Sequence, residues 1–560
     1  MTKMKKTGVL ATLLLLGAAA CADLDVVNPN DPERERALST ASDIESLIAG
    51  SMKQWSDGAH WYEGSSFFLS SASFQSSAPW NNAGMVPYSW IPRPEIQNNT
   101  ADTDYQNVSW WWYQYYKAIA QVWAGLRAFE DTAVTNELGR DTLTAMAFGK
   151  FVQGLAHGSL ALQYDQGFIV DETVELFDEA GNPIEQTLVP YGDMMTAALG
   201  YFDQAIALAE QGAFTVPSSW MSVSVSSDLL VQIAHSMKAR YRAAVARNPT
   251  ERDAVRWDLV IADVNEGVTE DWIFGWAPWD FDAFSNDLHN YYRYAGWQQL
   301  TYFILGMADQ SGNYQTWLSL PLLDRVPAVS TGGPIDVLII TPDLRFPQGA
   351  TVDEQRDDCP LEVGYCESKG KLYAVPHHAL ANQWQKPERQ RWRWSYYWSV
   401  VPYNIRWVDD GLAPEITMAE MDLLVAEGLY RQGDLAGAAN IINQTRVPAG
   451  LNATDATGLN TSCVPKLPDE SCGDLFEMLK WEKRLLTQFM GLHSIPWYYD
   501  GRGWGDLYVG TWEQFPVPCG EMEVLRAQST TPELLDCYTF GSPGGASASP
   551  GSIYNWPGEL

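Results

Sequence analysis

The stretch AEMDLLVAEGLYRQGDLAGAANIINQTR, residues 419–446, decides the fold of this 560-residue chain. Gly433-Asp434 divides it into two apolar-periodic halves, and this dipeptide is typical of one helix ending and another beginning with an aspartate N-cap. Apolar and small side chains of the second half share one helical face; they are Leu435, Ala438, Ala439 and Ile442. The stretch therefore predicts a helical hairpin over residues 417–446.

Helical periodicity recurs along most of the chain. It is clearest over residues 191–209, whose apolar positions are Tyr191, Met194, Met195, Ala198, Phe202, Ala205 and Ala209. The other predicted helices cover residues 38–56, 110–131, 141–164, 229–247, 254–267 and about 474–491. Short turns and small residues at the expected crossings are typical of tetratricopeptide-like helix pairs, although the repeat of about 34 residues is not regular. We predict a mainly α-helical protein.

Three segments combine loop composition with many aromatic rings: residues 60–107, 272–297 and 384–398. The chain contains 25 Trp and 26 Tyr, and such rings either cover flat ligands or fill cores. In the third segment, Trp392, Trp394 and Trp398 line a ligand cavity or one face of a strand. In Trp110-Trp111-Trp112, which falls in a helical pattern, at least one ring must face the core.

A carbohydrate site needs flat apolar faces for sugar rings, with amides and carboxylates that bond to hydroxyl groups. The first two aromatic segments supply both kinds of side chain. The candidate ligand-binding residues are Trp80, Asn81, Asn82, Trp90, Trp276, Trp279, Asp282, Asn290, Tyr292 and Trp297. Packing beneath a long loop is the alternative role for each of them.

We expect no metal or cofactor. Asp280, Asp282 and Asp287 could hold calcium, but they lack the regular spacing of a calcium-binding loop. His377-His378 is assigned to ordinary surface.

The first twenty residues predict a secretion signal peptide. A basic start, formed by Lys3, Lys5 and Lys6, precedes an apolar run over residues 9–16 that is too short to span a bilayer. Small residues then lead into Cys21, which looks like the acylated cysteine of a bacterial lipoprotein box, although Ala18 stands where leucine is usual. The alternative is an ordinary secreted protein with a free thiol. Residues 21–36 would be the acylated cysteine and a polar tether.

Six further cysteines fall into three sequence-local couples, which we predict to be disulfides. The couples are Cys359 and Cys366, Cys463 and Cys472, and Cys519 and Cys537. Secretion would place them in an oxidising compartment. The spacings do not match a metal site, which would need short CxxC or CxH motifs.

The formal net charge is −33, so the surface repels nucleic acid and anionic lipid headgroups. Attachment to a membrane would therefore depend on the lipid alone.

The hairpin at 419–446 resembles the C-terminal hairpin of the SusD/RagB family of outer-membrane nutrient-binding lipoproteins. Further stretches that resemble the family are Cys21-Ala22-Asp23-Leu24-Asp25, Asp343-Leu344-Arg345, Glu482-Lys483-Arg484-Leu485 and Trp504-Gly505-Asp506-Leu507. The chain departs from the family pattern at Leu344, where proline is usual, and at Lys483, where arginine is commoner. The paired cysteines are not a general family feature either.

This resemblance implies a mainly α, SusD-like fold, in which tetratricopeptide-like helix pairs pack with a large loop-rich ligand-binding region. A single body would cover residues 37–540, with an N-terminal part to about 270, a C-terminal part from about 271, and a flexible tail over 541–560. Glu482 and Arg484 are assigned to a structural ion-pair network within the helical body.

The resemblance also implies a lipid-anchored protein on the outer membrane that faces the exterior. Such proteins bind a glycan or peptide and deliver it to a SusC-like TonB-dependent transporter, without chemistry of their own. Two other hypotheses remain open from the sequence. One is a secreted glycan-degrading hydrolase, which needs two carboxylates at a defined separation. The other is a scaffold that uses its repeats for protein assembly.

Overall fold

The computed structural model describes residues 40–76, 87–102, 105–129, 141–276, 284, 287–292, 300–321, 337–359, 361–362, 365–366, 370–375, 395, 397–407, 411–491, 495–528, 537, 547–551 and 554. Helices dominate these residues, and the strands are short, so the protein is mainly α-helical as predicted. In this part of the chain, no helix combines the length and apolar character needed to cross a membrane.

The first half of the described chain is a succession of helices. They are α1 (Ala41–His60), α2 (Ser65–Ala72), α3 (Gln106–Ala128), α4 (Asp141–Gln163), α5 (Tyr191–Ala209), α6 (Ser218–Met221), α7 (Ser227–Ala244), α8 (Pro249–Asp253) and α9 (Trp257–Asn265). The long helices pack in chain order, α1 on α3, α3 on α4, α4 on α5, α5 on α7 and α7 on α9. This stepwise packing fits the expected helix pairs.

The second half holds shorter helices and then the hairpin. They are α10 (Asp287–Tyr292), α11 (Tyr302–Leu305), α12 (Asn313–Leu318), α13 (Val352–Asp358), α14 (Val401–Trp407), α15 (Met418–Arg431), α16 (Leu435–Arg446), α17 (Leu475–Leu486), α18 (Asp500–Trp504) and α19 (Cys519–Gln528). Helix α15 packs on α9, α16 and α17, so the hairpin continues the helical succession of the first half.

The strands of the described residues form two-stranded antiparallel pairs. They are β1 (Gln166–Gly167) with β2 (Val189–Pro190), β3 (Thr215–Val216) with β4 (Val225–Ser226), β5 (Trp272–Trp276) with β10 (Leu412–Ile416), β6 (Leu361–Glu362) with β7 (Tyr365–Cys366), β8 (Tyr373–Ala374) with β9 (Trp398–Ser399), and β11 (Trp512–Gln514) with β12 (Ser547–Ala548). The β5–β10 pair joins the two halves, because Trp272 pairs with Ile416 directly before the hairpin.

Local sequence explains the hairpin. The Thr417 side chain accepts a hydrogen bond from the main-chain N–H of Glu420, which caps α15. Gly433 has φ +87°, a left-handed conformation that glycine adopts without strain. The Asp434 carboxylate then accepts from the N–H of Gly437 at 2.9 Å, so the predicted N-cap is confirmed.

Glycines allow the close helix crossings that the sequence predicted. A Cβ atom on Gly125 of α3 would lie 2.4 Å from the side chain of Ile48 on α1. One on Gly158 of α4 would lie 2.0 Å from the ring of Tyr241 on α7. Both separations are far below van der Waals contact, so these helices can approach only because the side chains are absent.

Two large apolar clusters form the core. The first unites helices α1 to α7 and α9 and includes Trp111 and Trp112, so two rings of the tryptophan triplet face the core. The second lies in the C-terminal half around Tyr302, Trp317 and Trp481. A smaller cluster fills the hairpin with Ala438, Ala439 and Ile442, the predicted face of α16, and Leu435 packs against it.

The residues that carry the family resemblance form buried ion pairs. Arg345 donates to both Asp343 and Glu482, with its Nη1 atom 2.7 Å from Glu482 Oε2 and its Nη2 atom 2.7 Å from Asp343 Oδ2. Thr445 of α16 donates to the same Glu482 oxygen at 2.9 Å. Arg484 pairs with Asp506. The structural role predicted for Glu482 and Arg484 is confirmed.

A second network joins the hairpin to the helical body. Arg252 donates to Glu427 of α15 at 2.9 and 2.6 Å and forms an ion pair with Asp500 at 2.9 Å. Burial by itself would raise the pKa of Glu427, but Arg252, Arg431 and Lys483 together lower that pKa to about 2. Glu427 is therefore ionised at neutral pH, and its ion pairs hold the hairpin to the helical body.

Two predicted disulfides are present, between Cys463 and Cys472 and between Cys519 and Cys537. Cys359 is also disulfide-bonded. The side chain of its predicted partner, Cys366, lies outside the described residues.

The structure differs from the sequence predictions at several helix ends; for example, α3 covers residues 106–128 rather than 110–131. Helix α1 continues to His60 rather than 56, and α17 ends at Leu486 rather than about 491, because Phe489 adopts φ +60°. Residues 547–551 and Tyr554 belong to the stretch expected to be flexible. In the structure, Ser547 and Ala548 pair with β11, and Tyr554 is buried and donates a hydrogen bond to Asp506.

Candidate functional site

Most of the candidate rings lie in three loop stretches, residues 77–86, 277–299 and 376–394, which we call the aromatic loops. Most of their residues lie outside the described part of the chain, but the ends where they join the body are described. The positions of these ends show which loops start from the same place.

The first two aromatic loops are attached to each other. Ser76 directly precedes the first loop, and its hydroxyl donates to the Tyr292 hydroxyl at 3.3 Å. Tyr292 ends the described part of the second loop, and its ring contacts Phe67 and Phe489 at centroid separations of 5.3 and 5.4 Å. Both loops are therefore anchored at one buried cluster.

The third aromatic loop returns to the same cluster. The main-chain N–H of Ser395, which follows this loop, donates to the Leu300 carbonyl at 2.9 Å, and Leu300 directly follows the second loop. The indole Nε1 of Trp398 donates to the Tyr292 carbonyl at 3.0 Å. Trp398 is itself buried on β9, which is the strand-face alternative of the two roles that the sequence allowed.

The second aromatic loop is anchored at several of its described residues. It leaves strand β5, and Phe284 then packs on Phe274 at a centroid separation of 5.4 Å. Farther on, the Nε2–H of His289 donates to the Phe489 carbonyl. Burial lowers the pKa of His289 to about 4, so this imidazole is neutral at pH 7. These buried contacts fix part of the loop independently of any ligand.

Trp90 is the candidate whose ring the structure places at the surface. Its residue is 46% exposed, and of the tryptophans in the described residues it is the one that exceeds a third. Its neighbours are buried, since Tyr88 packs on Phe68 in the first core cluster and Ile91 belongs to the second. Trp90 is thus an exposed ring held between two buried anchors, close in the chain to the first aromatic loop.

Tyr292 occupies a different environment. It is fully buried, and its hydroxyl lies 3.4 Å from the Ser70 hydroxyl and 3.3 Å from that of Ser76. In this conformation the ring of Tyr292 does not face solvent. It has a packing role, which is the alternative to ligand binding that the sequence left open. Burial raises the pKa of its phenol.

The remaining candidates lie wholly or partly outside the description. Trp276 is the last residue of β5 and Asn290 lies in α10, but their side chains are not described. The others fall outside the described residues altogether: Cys21, Trp80, Asn81, Asn82, Trp279, Asp282 and Trp297.

Within the described ranges, histidine, cysteine, aspartate and glutamate do not gather in groups of three or more that could hold a metal ion. Of the aspartates weighed for calcium, Asp280 and Asp282 lie outside these ranges, and only the backbone of Asp287 is described.

Tyr88 and Arg93 fix the backbone on either side of Trp90, and neither is among the candidates that the sequence provides. The guanidinium of Arg93 donates to the Tyr88 carbonyl at 2.5 Å and to the Ala72 carbonyl at 2.6 Å. The only sequence signal is an arginine between Pro92 and Pro94, and proline-rich composition alone does not indicate which carbonyl groups a cation will reach.

No protein-family model matches this chain, and no curated protein matches it. Solved structures do. One is a SusD superfamily protein from Bacteroides vulgatus, with 13% identity, coverage of 88% of this chain and 92% of that chain, and a TM-score of 0.46. Another is a SusD/RagB family protein from Bacteroides thetaiotaomicron, with 11% identity, coverage of 90% and 99%, and a TM-score of 0.40.

A third match is a crystal structure with xylogluco-oligosaccharide, with 12% identity, coverage of 87% of this chain and 85% of that chain, and a TM-score of 0.44. Two of these three structures carry the family name that the sequence motifs indicate. Since the identities are at or below 13% and the TM-scores are below 0.5, the function has to be argued from the chain's own residues.

Proposed function

We propose that this protein is a SusD/RagB-type lipoprotein of the outer-membrane surface that binds a glycan and delivers it to a TonB-dependent transporter. The observation that carries the proposal is that all three aromatic loops have an anchor at or next to Tyr292, and that Trp90 is exposed close in the chain to the first loop. Rings from several loops can then face one ligand, and asparagine and aspartate side chains on the same loops can bond to its hydroxyl groups.

The buried ion pairs support a binding role for the aromatic loops. They do not support one for the residues that carry the family resemblance. Asp343, Arg345, Glu482 and Asp506 are all less than a tenth exposed, and each has an oppositely charged partner within the helical body. Charges that are paired in this way stabilise the body and are not available to a ligand. The body therefore acts as a rigid support, and the aromatic loops are left to select the ligand.

Binding is tested by calorimetric titration of the mature protein with a panel of soluble oligosaccharides, including xyloglucan fragments. Trp90→Ala should weaken binding of the best ligand about tenfold, because one stacked ring is lost. Phe177→Ala is the matched control, since Phe177 is 45% exposed but lies in a loop of the N-terminal helical body. Equal affinities of the wild type and Trp90→Ala would contradict the role given to Trp90.

The lipid anchor is supported by the sequence pattern that ends at Cys21. Labelled palmitate should be incorporated into the expressed wild-type protein and not into Cys21→Ser. Capture of an outer-membrane barrel protein by the wild type, in a pull-down from membrane extract, would support the delivery role. Release of shortened glycan products at enzymatic rates would instead favour the hydrolase.

A further inference from the structure

Arg93 links two backbone segments that flank the first aromatic loop. Its Nη2 atom donates to the carbonyl of Ala72, the last residue of α2, and its Nη1 atom donates to the carbonyl of Tyr88. Its Nε atom donates to the Thr511 hydroxyl at 3.0 Å, and the guanidinium lies 4.2 Å from the centre of the Phe74 ring. One planar group thus fixes both segments against a third part of the chain.

These bonds are made by a cation that has no carboxylate partner. Among the residues that the structure describes, Arg93 takes part in no ion pair, whereas Arg240, Arg252, Arg345 and Arg484 all do. Burial lowers the pKa of Arg93 to about 9, so the guanidinium is still protonated at neutral pH. Its charge is therefore satisfied by carbonyl oxygens and aromatic faces.

The position of Trp90 follows from this arrangement. Trp90 lies between Tyr88, whose carbonyl Arg93 holds, and Arg93 itself, so the two ends of a short backbone segment are fixed and the ring between them is exposed. A lysine at position 93 could not reproduce the geometry, because an ammonium group lacks the planar fork that reaches two carbonyls and a hydroxyl together.

We propose that Arg93 is the positioning residue of the glycan site, which fixes the backbone that presents Trp90. The inference rests on the proposed function for its effect on affinity. Its structural content, that Arg93 holds residues 87–92 against the end of α2, can be measured without any ligand.

The test compares Arg93→Lys with Arg127→Lys. Arg127 is the control, because its guanidinium also donates to two main-chain carbonyls, those of Glu172 and Val174, and lies 5.3 Å from the ring centre of Trp123; unlike Arg93, it also pairs with a carboxylate, that of Glu175. It belongs to the N-terminal helical body. Amide hydrogen exchange is followed in peptides covering residues 77–92, and affinity for the best oligosaccharide is measured far below the unfolding temperature.

We expect Arg93→Lys to raise exchange in residues 77–92 and to weaken glycan binding about tenfold, the factor that corresponds to one lost charge-assisted hydrogen bond. Arg127→Lys should change neither quantity. If Arg93→Lys does not fold, Thr511→Val removes only the Nε acceptor and should give smaller changes in the same direction.

Unchanged exchange in residues 77–92 would overturn the proposal. Raised exchange with unchanged affinity would also overturn it, because Arg93 would then be structural only. If the wild type binds no oligosaccharide, the proposed function fails, and the exchange data still decide whether Arg93 holds this backbone.

Discussion

Asp165 shows how one buried carboxyl group can make stability depend on pH. Burial raises the pKa of Asp165 to about 7, although the guanidinium of Arg247 acts in the opposite direction. Its Oδ1 atom is buried and has no hydrogen-bond partner among the described atoms. In the folded protein the group is therefore protonated below pH 7, whereas in the unfolded chain it ionises near pH 4.

The sign of the effect follows from this difference. A carboxyl group whose pKa is raised by folding favours the folded state below about pH 4, and this contribution is lost as the pH rises to about 7. Asp165→Asn mimics the protonated form at every pH. The free energy of unfolding of the variant, relative to wild type, should therefore increase by roughly 2 to 4 kcal/mol between pH 4 and pH 8.

Chemical denaturation at a series of pH values checks this prediction. Asp178→Asn is the control, because Asp178 is exposed and hydrogen bonds from Asn182 lower its pKa. Its contribution should be lost as the pH falls below about 4, the opposite dependence. A pH-independent difference between Asp165→Asn and wild type would contradict the assignment.

At the scale of single elements, the cap of helix α16 offers a direct test. The Asp434 carboxylate accepts a hydrogen bond from the Gly437 N–H, and it lies next to the positive end of the helix dipole. Asp434→Ala should lower the free energy of unfolding by about 1 kcal/mol, whereas Asp434→Asn should retain most of the stability. Denaturant titration of the three proteins measures both differences. Equal losses in the two variants would show that the side-chain bond is unimportant.

The helix that the sequence predicts best is one with a clear apolar period. Residues 191–209 were predicted as a helix and form α5 (Tyr191–Ala209) with the same bounds. The end of α17 was misplaced, because the left-handed conformation of Phe489 depends on tertiary packing and a phenylalanine gives no sign of it. Periodicity reports the face of a helix, and it does not report where packing terminates the helix.

The candidate site was less predictable for a related reason. Loops have no period that separates buried from exposed rings, so Trp90 and Tyr292 looked equivalent in the sequence although one is 46% exposed and the other is fully buried. The connection of the three aromatic loops depends on bonds between distant residues, such as Ser76 with Tyr292. Such contacts follow from the fold as a whole, and no local pattern encodes them.

At the scale of the whole molecule, buried charged groups connect the N-terminal helices with the C-terminal half of the chain. Arg240 of α7 donates to Glu415 of β10 at 2.7 Å and to Glu420 of α15 at 2.7 and 2.6 Å, and all three residues are buried. His60, at the end of α1, lies 3.1 Å from Glu415. The first helix, the β5–β10 pair and the hairpin thus meet at one network, beside the strand from which the second aromatic loop leaves.

The described residues near the C-terminal end of the sequence also contact distant parts of the chain. Strand β12 pairs with β11, and the Tyr554 hydroxyl lies 2.9 Å from Glu477 and 3.1 Å from Asp506, and accepts from Arg484 at 3.1 Å. This hydroxyl lies between two carboxylates of the α17 region. Burial raises the pKa of Glu477, and its bond from Tyr554 acts in the opposite direction, which helps to keep the carboxylate ionised.

A truncated protein that lacks residues 547–560 should therefore be less stable than wild type, because it loses both the strand pair and the Tyr554 contacts. Tyr554→Phe isolates the hydroxyl and should lower the free energy of unfolding by about 1 to 3 kcal/mol, since buried charged groups lose a hydrogen-bond partner. Removing only residues 555–560 leaves β12 and Tyr554 in place and is the control. Thermal and denaturant unfolding of the four proteins tests the prediction. If the longer truncation unfolds like wild type, residues 547–560 do not contribute to stability.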